Sequence, residues 1–427
     1  MKIKTTALPY ETVRSLPRRK AGKPEKPSMF FRTLMKTVGA GDLRAVRFTC
    51  NRHGMERLGK NEPAFILMNH SAFLDLEIAS SVLYPRPFNI VCTSDGFVGK
   101  EWLMRKLGCI PTEKFVSDIT LVRDLLYTVR TLKSSVLMYP EASYSFDGTA
   151  TPLPESVGKC VKLLGVPLVM IRTYGAFQRD PLYNGLRKRD VTVTADMDYL
   201  LSPEEIAAMD AQDIQKLLCE RFSFDNFAWQ KENSVRVTEP FRAEGLNRVL
   251  YKCPHCLAEG QTEGHGTTVT CHACGKVWEL TELGEMRALD GETEYPRIPD
   301  WYRWERECVR RELLDGTYRL DIPVDIRMLV DYRSIYEVGE GRLVHDRNGF
   351  HLTGCGGALD YTQKPLASYS LYADYFWYEL GDMVCIGNHD ALYYCFPRSG
   401  DIAAKTRLAT EELYKIVKNQ SHAAAEA

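Results

Sequence analysis

No apolar run in this 427-residue chain approaches the length a helix needs to cross a bilayer, roughly 18 to 20 residues. A secretory signal is not expected either, because the basic start runs into A-L-P-Y-E-T-V-R-S-L-P-R-R-K, polar and broken by proline where an apolar core belongs. Net charge is nearly nil, with 55 Lys and Arg against 56 Asp and Glu, which argues against a protein that grips nucleic acid through bulk charge. The chain lacks G-x-S-x-G and shows no internal repeat; Ser71, beside a histidine, has no second base to activate it as a nucleophile. The 13 cysteines are odd in number and four of them sit in C-x-x-C units, which suits a reduced compartment and metal binding better than a disulfide framework. A cytoplasmic protein is expected.

What is present begins with a local charge. Residues 1 to 40 carry ten bases (Lys2, Lys4, Arg14, Arg18, Arg19, Lys20, Lys23, Lys26, Arg32 and Lys36) against Glu11 and Glu25. Within that segment Phe30, Phe31, Leu34, Met35 and Val38 recur at helical spacing, with Arg32 and Lys36 between them. An apolar stripe beside a cationic face is how a helix lies on an anionic membrane surface, so peripheral membrane association is expected, against the plainer alternative of a helix packed on the protein's own core.

The length implies two or three folding units. From residue 64 to about 200, short apolar runs (A-F-I-L-M, F-N-I-V-C, S-V-L-M-Y, P-L-V-M-I, V-T-V-T-A) alternate with helical stretches, which predicts an α/β domain with a mixed sheet flanked by helices. One helix is expected over 203–222, with Ser202 as its cap and Pro203 at its first position. Residues 318 to 397 turn to β-branched and aromatic residues punctuated by glycine turns, and T-R-L-A-T-E-E-L-Y-K-I-V closes the chain as a helix. A sheet followed by a helix is compatible with a pleckstrin-like barrel. The expected units are a basic amphipathic segment at 1–45, an α/β domain at 46–245, a small insert at 246–290 and a β-rich domain with flanking helices at 291–427.

The α/β segment contains M-N-H-S-A-F-L-D, in which His70 precedes Asp75 by five positions. In one continuous helix five residues turn through roughly 500°, which leaves the two side chains about 140° apart. They meet only if His70 sits on the strand-to-helix turn and Asp75 in the first turn of the helix, and the flanking runs supply that arrangement. A carboxylate on one imidazole nitrogen fixes the tautomer and frees the other nitrogen to take a proton from an attacking hydroxyl.

With these residues the chain resembles the glycerolipid acyltransferase family, the lysophosphatidic acid (1-acylglycerol-3-phosphate) acyltransferases and relatives. Asn69-His70 and Asp75 match its N-H-x4-D motif. L-M-R-K-L-G-C-I-P-T-E-K resembles the second block, with Lys114 near the family's arginine. Tyr139-Pro140-Glu141-Ala142-Ser143-Tyr144-Ser145 corresponds to F-P-E-G-T-R-S, and Val166-Pro167 opens the fourth motif.

The resemblance implies direct transfer of an acyl group from acyl-CoA or acyl carrier protein to a lysolipid hydroxyl, with 1-acylglycerol-3-phosphate or a related lysophospholipid as acceptor. His70 would be the base and Asp75 its orienting group; Lys114, Glu141 and Ser143 would hold the acceptor. Two positions depart from the family, Lys114 and Tyr144. Arginine binds phosphate through a planar fork, whereas lysine is a point charge and tyrosine a single hydroxyl. The alternative is a scaffold that keeps the fold without turnover.

Cys253-Pro-His-Cys256 and Cys271-His-Ala-Cys274 form two knuckles 14 residues apart, the spacing of a zinc ribbon. Four thiolates close a tetrahedral site, so a structural Zn2+ is expected, with His255 and His272 as bystanders. No redox or nucleotide cofactor is expected. Lys252 and Lys276 are outnumbered by Glu259, Glu263 and Glu279, which favours a packing role over nucleic acid.

Overall fold

The computed structural model describes residues 3–19, 22–116 and 119–426, the last five without their side chains; Lys2 and Lys20 of the basic segment lie outside it. Strand Phe65–Met68 occupies the middle of a seven-stranded sheet. Its run F-I-L-M is buried on both sides: Phe65 and Leu67 enter one apolar cluster, Ile66 and Met68 the other. A strand covered on both faces has no polar side to show, hence the unbroken apolar run. Parallel neighbours Leu168–Tyr174 and Ser135–Met138 flank it, followed outward on the second side by Phe88–Thr93 and Cys109–Thr112. Thr194–Leu201 runs antiparallel to Leu168–Tyr174, and the edge strand Thr49–His53 runs parallel to Thr194–Leu201, which makes the sheet mixed.

Helices cover both faces. Leu43 of Met29–Ala45 and Ile78 and Val82 of Leu74–Val82 close one side. Leu125, Val129, Val161 and Leu218 close the other. Three details differ from the sequence expectation. Strand V-T-V-T-A lies three residues later, at Thr194–Leu201. Strands Thr49–His53 and Cys109–Thr112 are additional; both are edge strands, too short and too polar to carry a strong pattern. The expected helix 203–222 is two helices, because Met209 turns extended and Asp210 caps a fresh start by accepting from the Gln212 and Asp213 N–H groups.

Thr262–His265, Thr268–Cys271, Val277–Leu280 and Met286–Ala288 form a four-stranded antiparallel ribbon. Its Trp278 packs edge-on against Trp301 of helix Ile298–Leu314, ring centroids 5.1 Å apart, so its core is continuous with that of the C-terminal domain. There, strands Leu320–Leu329, Ile335–Asp346, Gly349–Gly354 and Leu359–Gln363 form one meander and Tyr372–Asp374, Met383–Gly387 and Leu392–Pro397 a second. The last strand returns to pair with the first, and helix Ala403–Glu426 closes the domain.

The amino terminus is woven into this second body. Thr5–Ala7 pairs in parallel with Ile335–Glu337, and Tyr10 and Val13 are buried in the C-terminal core. The chain then crosses to the α/β sheet, where the Glu25 carbonyl accepts from Asn89 Nδ2 at 2.7 Å.

The two bodies meet at Asp95, which follows strand Phe88–Thr93 and is 1% exposed. Its carboxylate accepts from Tyr372 Oη at 3.0 Å, Trp377 Nε1 at 3.2 Å, and Tyr378 and Tyr394 Oη at 3.4 Å, all from the C-terminal domain. Removing the acceptor strands those donors in a dry interface. Asp95→Ala is expected to lower stability by about 2–4 kcal/mol in a urea titration; a change within about 0.5 kcal/mol would show that this contact does not hold the domains together.

Candidate functional site

The parallel strands deliver the site from their carboxyl ends, where ligand sites of open α/β sheets form. Phe65–Met68 ends at Asn69-His70, Ser135–Met138 at the turn Tyr139 to Ser145, Leu168–Tyr174 at Thr173, Phe88–Thr93 at Asp95, and Cys109–Thr112 at Lys114.

His70 sits on the turn and Asp75 in the first turn of helix Leu74–Val82, as the spacing requires. Asp75 is fully buried. Its Oδ2 accepts from His70 Nδ1 at 3.2 Å and from the backbone N–H groups of Ser71 and Ala72 at 2.6 and 3.0 Å; its Oδ1 accepts from Thr173 Oγ1 at 3.2 Å. Nδ1–H toward the carboxylate leaves Nε2 as the basic nitrogen. Asn69 clamps the neighbouring strand by accepting from the Thr173 N–H at 2.7 Å and donating to its carbonyl at 3.0 Å.

The imidazole lies between two phenols, Tyr139 stacked at 4.0 Å and Tyr144 tilted at 4.3 Å. Burial pulls the His70 pKa below its usual value; the hydrogen bond and charge of Asp75 oppose that, and the charge of Lys114 adds to it. The net shift favours the neutral ring over the imidazolium.

Glu141 is brought to His70 but faces its backbone: Oε2 accepts from the His70 N–H at 2.9 Å, and Oε1 from the Thr151 N–H and Oγ1, both at 3.0 Å. Burial lifts its pKa to about 7, against the lowering effect of those donors. Both oxygens are thus engaged in holding the turn. Ala142 takes a left-handed φ of 56°, at the position where the related motif has glycine. Ser143 is 2% exposed and its hydroxyl finds no partner among the described residues. Lys114 is drawn toward the C-terminal domain, its ammonium 3.9 Å from the Tyr372 ring centroid. Burial lowers its pKa, partly offset by the carboxylates of Asp95 and Asp374.

Three contributors carried no sequence signal: Thr173, Thr151 and Arg407. Arg407, from helix Ala403–Glu426, donates through Nη1 to the Tyr144 carbonyl at 3.4 Å and lies over the Phe146 ring. Tyr139 was legible only as the apolar residue that opens the third motif.

Residues 49–173 match the family model described as Acyltransferase. That segment is similar to the acyltransferase family. It begins at edge strand Thr49–His53 and ends at Thr173, so it holds His70, Asp75, Lys114, Glu141 and Ser143 and stops at the residue that pins Asp75. No curated protein matches the chain. Among solved structures it is similar to the 1-acyl-sn-glycerophosphate acyltransferase PlsC from Thermotoga maritima, at 13% identity over 45% of this chain and 76% of that one, with a TM-score of 0.38. The matched segment lies in the amino-terminal half, and the carboxyl-end face of its sheet is the one the C-terminal domain covers through Asp95 and Tyr144.

The second cluster is remote in chemistry. The sulfur atoms of Cys253, Cys256, Cys271 and Cys274 lie within 4.8 Å of one another, with Cys253 to Cys274 at 3.9 Å and Cys256 to Cys271 at 3.7 Å. A tetrahedral ion with bonds of about 2.3 Å sets its sulfurs about 3.8 Å apart, so the thiolates fit one metal. Each knuckle is a tight turn, closed by Leu257 N–H to the Cys253 carbonyl at 2.9 Å and Gly275 N–H to the Cys271 carbonyl at 2.8 Å. His255 and His272 face Glu294 and Glu263 at 3.3 and 2.7 Å and stay largely exposed. Because the ribbon shares its core with the C-terminal domain, stripping metal with a chelator should lower Tm by roughly 10 °C. Cys271→Ser should do the same; an unchanged melting curve after confirmed metal removal would refute a structural metal.

Proposed function

We propose that the protein transfers a fatty acyl group from a thioester donor, acyl-CoA or acyl carrier protein, to the hydroxyl of a lysolipid. The observation that supports this most is the His70–Asp75 pair, Nδ1 to Oδ2 at 3.2 Å, inside the segment that matches the Acyltransferase family. Nε2 takes the proton of the acceptor hydroxyl as its oxygen attacks the thioester carbonyl, and Asp75 stabilises the imidazolium. The N–H groups of Ala142 and Ser145 are committed to the Tyr139 and His70 carbonyls, so these two are not open to an oxyanion. We read Glu141 as holding the turn under His70, and Ser143 and Lys114 as facing the acceptor side. The ion in the ribbon is read as Zn2+ with a structural role, since a closed four-sulfur site keeps no open position.

His70→Ala is expected to cut kcat by about 100- to 10,000-fold in a thiol-release assay with lysolipid present. With the histidine pKa depressed, the ascending limb of kcat/KM should have its midpoint below pH 6.5: the base is lost only as pH falls through the folded-state value. Equal, slow release by wild type and variant would favour the non-catalytic scaffold.

The enzyme is proposed to work at the cytoplasmic surface of a membrane. Among the described residues no helix is long and apolar enough to cross one. On helix Met29–Ala45, however, Phe30 is 69% and Val38 74% exposed while Gly39 and Leu43 pack inward. Trp102, 67% exposed, extends that apolar surface beside Phe31. Such a surface suits partition into lipid. In vesicle co-sedimentation, Phe30→Ser with Val38→Ser should reduce binding to anionic liposomes at least about tenfold, each large apolar side chain being worth roughly 1.5–3 kcal/mol when buried; unchanged binding would place the membrane contact elsewhere.

A further inference from the structure

The two rings that cover the faces of His70 belong to different cores. Tyr139, stacked at 4.0 Å, follows strand Ser135–Met138 and packs with the apolar cluster under helix Leu74–Val82. Tyr144, tilted at 4.3 Å, packs with the cluster that fills the ribbon and the C-terminal domain. The other hold on the imidazole, Nδ1 to Asp75 Oδ2 at 3.2 Å, is at the long end for a hydrogen bond, so the stacking shares the work of fixing where Nε2 points.

The two rings are not held alike. Tyr139 continues directly from an interior strand of the sheet. Tyr144 lies two residues beyond the left-handed Ala142, and among the described residues its one hydrogen bond is the one its carbonyl accepts from Arg407 Nη1 at 3.4 Å. Arg407 is 3% exposed, and its guanidinium carbon lies 4.5 Å from the centroid of the Phe146 ring, which meets Tyr375 at 4.4 Å. The guanidinium is fixed from behind as well: Nε donates to Glu411 Oε1 at 3.1 Å, Ser370 Oγ donates to the same oxygen at 2.7 Å, and Arg306 pairs with Glu411 Oε2 at 2.7 Å. A planar fork serves a carboxylate and a carbonyl at once while its face rests on a ring, and an ammonium has no such geometry.

We propose that Arg407 is a positioning residue for His70, acting through Tyr144: helix Ala403–Glu426 sets the ring that covers one face of the imidazole, and the C-terminal domain thereby completes the site. This rests on the acyl-transfer reading above. Arg407 touches neither the base nor a substrate; it fixes the backbone from which the Tyr144 ring reaches His70. A base turned away from the acceptor hydroxyl costs the transition state and leaves ground-state binding intact, so the loss falls on kcat and spares KM.

The test uses the full-length protein labelled with carbon-13 at histidine Cε1, as wild type, Arg407→Lys, Tyr144→Ala and the double variant, with Phe146→Leu as a second way to unseat the guanidinium should Arg407→Lys not fold. The His70 resonance is the one that His70→Ala removes. Two stacked rings shift its proton upfield, so Arg407→Lys should move it downfield while the other histidines stay in place. The same variant should lower kcat at least about tenfold, with KM within about twofold, in thiol release from an acyl-CoA across a panel of lysolipids. Because the effect passes through one ring, the double variant should match Tyr144→Ala alone. An unmoved His70 resonance, a shift shared by all the histidines, a shift without loss of kcat, or additive losses in the double variant overturns the proposal and leaves acyl transfer standing. If no release depends on His70, the acyl-transfer reading fails, and the proposal with it.

Discussion

The buried carboxylate of Asp75 is the constraint on which the site depends. Four donors converge on it: the imidazole Nδ1, two backbone N–H groups of the turn, and a threonine hydroxyl from the next strand. A carboxylate with no exposed surface is tolerated only when its lone pairs are filled, since an unpaired buried charge costs several kcal/mol. Each donor lost therefore raises the cost of the rest, and the turn, the tautomer and the distance to strand Leu168–Tyr174 are set together. Asn69 adds to the same seam by satisfying both backbone groups of Thr173. The seam spans 104 residues of sequence and closes only when the sheet does.

Around that seam, the strand ends supply the other parts, and the C-terminal domain reaches three of them. It surrounds Asp95 with aromatic donors, takes the Lys114 ammonium onto Tyr372, and ties the Tyr144 carbonyl to Arg407. The proposed acceptor side is thus built by two bodies. The left-handed Ala142 fits the same picture. A side chain in that conformation costs about 1–2 kcal/mol relative to the usual region, and the Glu141 clamp on both sides of the turn can hold it.

Legibility followed the range of the interactions. The strand F-I-L-M, the turn at His70 and the helix after it were readable because burial on both faces and a strand-to-helix junction leave local marks. The cysteine knuckles were readable because each is closed within five residues by its own backbone hydrogen bonds. Edge strands Thr49–His53 and Cys109–Thr112 left no such mark, since half of an edge strand meets solvent or a helix end. The pairing of Thr5–Ala7 with Ile335–Glu337 lies more than 300 residues apart in sequence, and three residues carry no pattern that names their partner.

The sequence by itself determined the groups on offer: a histidine with a carboxylate five residues away, four thiols at ribbon spacing, and an apolar stripe in a basic segment. Those are local spacings, and local geometry follows from them whatever the rest of the chain does. Only the tertiary structure decided how the groups are used. It turned Glu141 toward the backbone, set the Lys114 ammonium on the Tyr372 ring and Arg407 on Glu411, left the hydroxyls of Ser71, Tyr139 and Ser143 without a partner among the described residues, and set the His70 ring between two tyrosines. The reason is that charge matching and desolvation depend on neighbours brought in from distant strands and from the second domain, and no spacing along the chain encodes which neighbours those are.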